Sequence, residues 1–191
     1  MIRVMQERHS QTGGDVGPAD ARAGAAARQA LLDSEKERAE LTMIVDLVRN
    51  DLGRVARKGG VQAGPRRIVR CGDLWHAEQP VRAALRRDRD ALDAFAACFP
   101  PGSVTGAPKV EAMRVIAELE PVPRGVYCGA IGCFADGGAA HFSVAIRTAT
   151  LADGLARFHV GAGLVADSDP AREWAETLAK GRALAGALQA G

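Results

Sequence analysis

The sequence predicts an α+β protein, in which an antiparallel sheet packs against helices. Residues 20–57 are rich in Ala, Leu, Glu and Arg and predict helix, with an interruption near Ser34. Three extended runs, "GVYCGAIGCF", "HFSVAIRTATL" and "ARFHVGAGLVA", are joined by "ADGG" and "ADG", which favour hairpin turns. A last helix is predicted to begin at Ser168 or Asp169, just before Pro170. Helices, then an antiparallel meander, then a helix are typical of the α+β class.

The remaining stretches are less regular. Residues 1–17 are polar and contain glycine, which predicts a loose N-terminal segment before a domain over 18–191. Residues 58–80 predict irregular chain with short extended pieces, and "VRAALRRDRDALDAFAACF" predicts helical hairpin material. The stretch "FPPGSVTGAPKVEAM" then concentrates Pro and Gly before a helix, with Pro108 in its first turn and its end before Pro121. A glycine-rich loop that leads into a helix is a natural anion site.

Composition excludes several classes of protein. The 191 residues, 47% of them hydrophobic, suffice for one domain with a real core, and the net charge of +2 does not favour nucleic acid or a membrane as partner. The four cysteines form no C-x-x-C pair, so neither a zinc site nor a disulfide framework is expected. There is no signal-peptide pattern and no run of about 20 apolar residues. We therefore expect a cytoplasmic protein.

Two acidic doublets carry the most informative chemistry. Glu37 and Glu40 are three residues apart on one predicted helix, and Glu173 and Glu176 repeat this spacing on another. Residues at i and i+3 share a helix face, so each doublet presents two carboxylates in one direction. If the two helices face each other, four carboxylates converge on a site that suits Mg²⁺. Lys180 would extend the second face with a positive charge.

Each candidate also has a structural explanation. Ser34 and Glu37 match a capping box, and Glu40 and Glu176 match ordinary solvated helix positions. His76 is either a structural histidine or a catalyst, and Tyr127 is either core filling or a ligand contact. Arg147 lies on a predicted strand, where it needs a carboxylate from the protein or from a ligand. Spacing alone leaves these alternatives open.

Five runs of the sequence resemble one enzyme family, in that family's order. They are "SEKERAELTMIVDLVRNDLGRV", "FPPGSVTGAPKVEAMRVIAELEP", "RGVYCGAIGCF", "FSVAIRT" and "GAGLVADSDPAREWAET", and they cover about residues 30–180. They are similar to the C-terminal part of the chorismate-utilising enzymes, namely the synthase components of anthranilate synthase and aminodeoxychorismate synthase. The resemblance implies the C-terminal part of that family's two-sheet chorismate-binding fold, here incomplete.

The resemblance also implies a role for each candidate residue. The magnesium ligands would be Glu37, Glu40, Glu173 and Glu176. The cradle for the enolpyruvyl carboxylate of chorismate would consist of Arg147, Tyr127 and the backbone of Gly161 and Gly163. Two residues would act beside the substrate: Lys180 as a further cation and His76 near the ring, although Gln79 stands where the family usually has a serine. The wall of the pocket would include Ser103 and Thr105.

The implied reaction is amination of chorismate with ammonia from a glutamine amidotransferase partner. "MIVDLVRNDLGRV", preceded by "SEK", favours the aminodeoxychorismate (4-amino, folate) branch over the anthranilate (2-amino, tryptophan) branch. Where the family has a "PI-x-GT" segment, the sequence reads "MQERHSQTGGDVG". We therefore expect a C-terminal portion that is inactive and association-prone alone: a truncated product, one part of a split enzyme with a separate N-terminal half, or a non-catalytic chorismate- or partner-binding remnant.

Overall fold

A computed structural model of the chain describes residues 2–10, 18–71, 74–166 and 168–189. The chain divides into two compact units, Met1–Gly102 and Ser103–Gly191. This boundary falls inside the stretch 18–191, which the sequence predicts as one portion of a domain. Within the described ranges, no helix is long and apolar enough to cross a membrane.

The first unit is a four-stranded antiparallel sheet with helices against it. Its central strand, β4, pairs with β1 along one edge and with β2 and β3 along the other. In chain order the elements are β1 Ile2–Ser10, α1 Pro18–Asp33, α2 Glu35–Gly53, β2 Ala56–Ala63, β3 Arg67–Cys71, β4 Leu74–Leu85 and α3 Ala91–Cys98.

The core of this unit forms where α2 packs on one face of β4. Ala77, Val81 and Ala83 of the strand are separated by even numbers of residues, so they lie on one face of the pleated sheet. Apolar residues of α2 recur at helical spacing on the opposing side. The buried cluster consists of Leu31, Leu41, Val45, Val48, Leu52, Ala56, Ala77, Val81 and Ala83. This packing holds the helix that carries the first acidic doublet.

The helix interruption predicted near Ser34 is confirmed. α1 ends at Asp33 and α2 begins at Glu35, with Ser34 as its N-cap. The Ser34 hydroxyl accepts a hydrogen bond from the Glu37 backbone N–H at 3.2 Å. Because the first N–H groups of a helix have no partner within the helix, this hydroxyl stabilises the start of α2.

Two predictions for this unit are wrong. Residues 2–10 form strand β1, paired with β4 from Ile2↔Ala83 to Ser10↔Trp75, whereas the sequence predicts a loose segment; residues 11–17 lie outside the described residues. Residues 81–85 continue strand β4, whereas they read as helix. Pairing on both edges of β4 outweighs the helical propensity of "VRAAL" there. Only the second half of that run is helical, as α3.

The second unit contains two helices and two separate two-stranded sheets. β5 pairs with β6 and β7 pairs with β8, both antiparallel. A 3-10 turn, Gly102–Val104, lies at the unit boundary. The elements that follow are α4 Lys109–Leu119, β5 Ala130–Phe134, β6 Ala140–Val144, β7 Ala149–Ala152, β8 Leu155–Phe158 and α5 Pro170–Gln189. The predicted α+β class is confirmed.

The hairpin turn after β7 follows the sequence, but the three predicted extended runs are only partly strand. "GVYCGAIGCF" is strand only over Ala130–Phe134, and "ARFHVGAGLVA" is strand only up to the end of β8 at Phe158. Asp153 and Gly154 have φ of 53° and 71°, the paired positive values of a tight hairpin turn. However, the run "HFSVAIRTATL" forms two strands, β6 and β7, rather than one. The chain bends between them at Arg147, whose φ is 51°. Arg147 is therefore not a strand residue, contrary to the prediction.

Candidate functional site

The segment between β8 and α5 is fastened to the first turn of α5. Ser168 Oγ accepts from the Val165 backbone N–H at 3.1 Å and donates to Glu173 Oε1 at 2.7 Å. Asp169 Oδ1 accepts from the Arg172 backbone N–H at 2.9 Å, which caps the helix start as predicted. These bonds connect the glycine-containing stretch 161–165 directly to the second acidic doublet.

The doublet on α5 has one buried and one exposed carboxylate. Glu173 is 5% exposed, whereas Glu176 is exposed and lies 2.6 Å from the Lys180 ammonium through its Oε1. Lys180 Nζ also donates to the carbonyl oxygen of Gly161 at 3.2 Å. Lys180 therefore extends the acidic face as predicted, and it places a positive charge beside the Gly161 backbone.

Tyr127 lies beside Gly161, and we call this place the Gly161 corner. A Cβ added to Gly161 would lie 3.1 Å from the Tyr127 hydroxyl, closer than most real contacts, so glycine suits this position. The Tyr127 ring stacks on His159 with centroids 5.6 Å apart. Burial raises the pKa of Tyr127 to about 12, and the neighbouring Cys128 side chain acts in the same direction, so the hydroxyl remains a hydrogen-bond donor well above neutral pH. The structure thus brings together Tyr127, Gly161 and Lys180.

Arg147 and Gly163 occupy more open positions. Both are exposed, Arg147 in the bend between β6 and β7 and Gly163 between β8 and α5. An exposed guanidinium does not need a protein carboxylate, because water solvates it. Arg147 therefore does not require a partner, in contrast to the expectation for a strand position. Carboxylate binding by Arg147 remains a prediction.

The first doublet lies on α2, in the other unit. Glu40 is 4% exposed, and the expectation that it faces solvent is wrong. It sits beside Leu41 and one turn before Ile44, both buried, so this face of the helix is turned inward. Glu37 is half-buried. A buried carboxylate costs free energy unless polar groups or a cation compensate its charge, so Glu40 is more than a solvated helix residue.

Metal binding is a question of donor type and number. Carboxylate oxygens are the ligands that Mg²⁺ prefers, so both doublets suit it chemically. Among the residues that the structure describes, no group of three or more His, Cys, Asp or Glu side chains forms a metal site. Glu37 and Glu40 belong to the first unit, and Glu173 and Glu176 belong to the second. The four-glutamate magnesium site remains a prediction.

His76 and Gln79 lie on β4 in the first unit. His76 is 4% exposed, and Gln79 Nε2 donates to the Gly64 carbonyl at 2.9 Å. Successive residues of a strand point to opposite faces, so positions 76 and 79 belong to different faces of the sheet. Gln79 thus stabilises the chain between β2 and β3. A catalytic role for His76 remains a prediction.

The Pro- and Gly-rich stretch packs closely on its neighbours. A Cβ on Gly102 would lie 3.0 Å from Leu47 Cδ1, and Gly106, with φ of 153°, would place one 2.9 Å from the Ala112 Cβ. Only glycine fits such contacts without displacement. Pro108 is the N-cap of α4 rather than a residue of its first turn, so the predicted start was one position early. Ser103 and Thr105 are half-buried, and their contact with a ligand remains a prediction.

Sequence reasoning missed a cation beside Tyr127. The Arg124 guanidinium lies 5.9 Å from the Tyr127 ring centroid and forms an ion pair with Glu120 at 2.5 Å. The spacing E-x-x-x-R could have revealed the pair, although it crosses the end of α4 at Leu119. His159 was also missed, because nothing in its strand-end position indicates an aromatic partner.

Comparison with known proteins decides the family. Residues 18–186 match the family model described as chorismate binding enzyme. The chain belongs to this chorismate-binding enzyme family. The resemblance inferred from the five sequence runs is therefore confirmed.

Two curated relatives are both named anthranilate synthase component 1. The chain is 51% identical over 156 residues to anthranilate synthase component 1 of Streptomyces coelicolor, covering 81% of this chain and 30% of that protein. It is 48% identical over 160 residues to anthranilate synthase component 1 of Aquifex aeolicus, covering 83% and 32%. The chain thus spans about a third of the length of these curated relatives. The preference for the aminodeoxychorismate branch is not confirmed, and the anthranilate alternative is better supported.

Solved structures agree with the family and the fold. Anthranilate synthase component I from Streptococcus pneumoniae superposes with a TM-score of 0.79 at 37% identity, covering 93% of this chain and 39% of that one. A putative 2,3-dihydroxybenzoate-specific isochorismate synthase from Bacillus anthracis gives 0.83 at 26% identity, covering 98% and 49%. The chorismate-binding fold therefore accommodates almost the whole of this chain.

Proposed function

We propose that this chain is the chorismate-binding portion of an anthranilate synthase component 1. The enzyme containing it would aminate chorismate at ring position 2, with ammonia from a glutamine amidotransferase partner. The name shared by the curated relatives supports this branch. The structural observation behind the proposal is the corner at Gly161, where the Lys180 ammonium and the Tyr127 hydroxyl meet a backbone without a side chain.

The corner has the chemistry that a carboxylate requires. Lys180 offers a charge-assisted hydrogen bond, and the protonated Tyr127 hydroxyl offers a neutral one. Gly161 has no side chain, so the Tyr127 hydroxyl comes within 3.1 Å of the position that a Cβ would occupy there. We assign the enolpyruvyl carboxylate of chorismate to this corner, with Arg147 and the Gly163 backbone as further contacts.

Mg²⁺ would be held by both acidic doublets, Glu37 with Glu40 and Glu173 with Glu176. Their donors are all carboxylate oxygens, the ligand type that Mg²⁺ prefers. Glu40 and Glu173 are almost fully buried, where a cation would compensate their charge. The ion would supply positive charge against the ring carboxylate and against the negative charge that develops on the departing group. Glu176 forms an ion pair with Lys180, whose ammonium also donates to the Gly161 carbonyl.

Product analysis tests the proposal. The chain is incubated with chorismate, ammonium and Mg²⁺, alone and together with the remaining portion of the Streptomyces coelicolor relative. We expect anthranilate, detected by fluorescence and mass spectrometry, in the complemented mixture. Formation of 4-amino-4-deoxychorismate or isochorismate would contradict the anthranilate assignment. Chorismate binding without any product would instead support the non-catalytic remnant.

A binding comparison tests the Gly161 corner separately. Lys180→Met removes the ammonium but keeps an unbranched side chain, and Arg182→Met removes an exposed charge from the same helix as a matched control. Losing a charge-assisted hydrogen bond to a carboxylate should weaken chorismate binding about tenfold or more. Calorimetry that shows equal affinity for both variants would remove Lys180 from the site.

A further inference from the structure

We propose that Arg124 is a positioning residue for Tyr127, which it holds in place against Gly161. The inference deepens the proposed function, and its consequence for ligand binding rests on that function. Its structural content can be tested without any ligand.

The Arg124 side chain is anchored at three points. Its Nε and Nη2 donate to the two carboxylate oxygens of Glu120 at 2.8 and 2.5 Å, and its Nη1 donates to the Val104 carbonyl at 2.7 Å. Glu120 is the C-cap of α4, and Val104 ends the 3-10 turn of the Pro- and Gly-rich stretch. The guanidinium therefore connects the end of a helix to the loop that precedes it. A planar fork of donors makes such a two-sided connection, which a lysine cannot reproduce.

The same residue contacts Tyr127 through both side chain and backbone. The guanidinium carbon lies 5.9 Å from the Tyr127 ring centroid, within the range of a cation–π contact. The Tyr127 backbone N–H donates to the Arg124 carbonyl at 3.1 Å, which closes a turn that includes Gly125 with φ of 60°. Arg124 thus supplies both the cation beside the Tyr127 ring and the first residue of the turn that holds Tyr127.

Tyr127 in turn contacts the Gly161 corner. Its hydroxyl is the atom closest to a Cβ built on Gly161, at 3.1 Å, and its ring stacks on His159, one residue after β8. A shift of the Arg124 anchor would therefore move the hydroxyl relative to the Gly161 backbone. This continuous set of contacts distinguishes Arg124 from an ordinary surface arginine.

Two possible roles of Arg124 predict opposite changes in the pKa of Tyr127. Burial raises this pKa to about 12, the neighbouring Cys128 and Glu120 side chains act in the same direction, and the charge of Arg124 opposes the rise. If Arg124 only acts as a nearby charge, its removal raises the pKa further. If Arg124 holds the ring in its buried place, its removal exposes the hydroxyl, and the pKa falls toward the ordinary value of about 10.

The chain offers a clean probe, because Tyr127 is its only tyrosine. Biosynthetic 3-fluorotyrosine gives a single ¹⁹F resonance, whose titration is compared in the parent, Arg124→Ala and Arg114→Ala. Arg114 is the matched control, since it forms an exposed ion pair of 3.0 Å with Glu111, and both residues lie on α4. We expect the pKa to fall in Arg124→Ala and to stay unchanged in Arg114→Ala. An unchanged or higher pKa in folded Arg124→Ala would overturn the proposal.

Folding is checked by circular dichroism, because an unfolded chain also shows an ordinary tyrosine pKa. If Arg124→Ala does not fold, Arg124→Lys keeps the charge but loses the fork. The pKa should then fall in Arg124→Lys as well, and an unchanged value would equally refute the positioning role.

A chorismate titration of the same ¹⁹F resonance links the anchor to the site. The apparent affinity should weaken at least fivefold in Arg124→Ala and stay within twofold of the parent in Arg114→Ala. Equal affinities in all three proteins would contradict the positioning role in binding. If the parent itself does not bind chorismate, the proposed function fails for this chain, while the ligand-free titration still decides the role of Arg124.

Discussion

Replacing Ser168 by alanine should destabilise the second unit more than the loss of one hydroxyl suggests. The hydroxyl accepts from the Val165 backbone N–H at 3.1 Å and donates to Glu173 at 2.7 Å. Glu173 is 5% exposed, so water compensates the lost bond poorly. The substitution thus affects the glycine-containing stretch and the acidic doublet together.

The magnitude follows from the two bonds. A hydrogen bond to a charged group contributes about 1.5–3 kcal/mol, and one to a backbone N–H contributes about 0.5–1.5 kcal/mol. Ser168→Ala should therefore lower the free energy of unfolding of this unit by about 2–4 kcal/mol. Ser168→Thr retains the hydroxyl and should recover most of that loss.

Native-state hydrogen exchange of the α5 amides measures this change locally, because the chain has two compact units that need not unfold together. Ser143→Ala is the control, since Ser143 is exposed on β6 and its substitution should stay within about 0.5 kcal/mol of the parent. The reasoning is refuted if Ser168→Ala changes the exchange free energies no more than Ser143→Ala does.

Three further predictions concern charge. The Arg124 hydrogen bond lowers the pKa of Glu120. The pair therefore contributes its full stabilisation above pH about 4.5, and this contribution is lost as the pH falls through the lowered pKa. Glu120→Gln should flatten the acid side of the pH–stability curve measured by circular dichroism, and an unchanged acid side would contradict this. Glu40→Gln combined with Glu176→Gln should abolish measurable Mg²⁺ affinity in calorimetry. Because Glu40 is buried, a melting curve of the double variant checks that it still folds. Unchanged Mg²⁺ affinity would show that the metal site is misassigned. Arg147→Ala should weaken chorismate binding far more than it lowers the melting temperature, because Arg147 is exposed; unfolding without a ligand effect would indicate a structural role.

Features that depend on a few neighbouring residues could be predicted from the sequence. Ser34 breaks the first helical stretch, and Asp169 caps the last helix, because capping needs only a short polar side chain near free N–H groups. Asp153 and Gly154 form the predicted turn, because positive φ suits these residue types. The α+β class followed from the order of such local signals along the chain, whereas the family followed from the resemblance of five sequence runs to known enzymes.

Features that depend on distant partners could not. The run 81–85 is strand because β1 and β2 pair with it, although its composition favours helix. Arg147 occupies a bend instead of a strand interior, which no alternation of residue types indicated. For the run 81–85, helix and strand are close in free energy, and pairing with distant strands selects between them.

The candidate site shows the same division between local and tertiary information. The i, i+3 spacing of Glu173 and Glu176 and the position of Lys180 one turn later are helix periodicity, which the sequence by itself determines. Only the tertiary structure decided that Glu173 is buried and Glu176 exposed, and that Arg124 meets Tyr127. Burial and contacts between side chains on different elements depend on where the chain returns in space, and neither residue type nor local spacing carries that information.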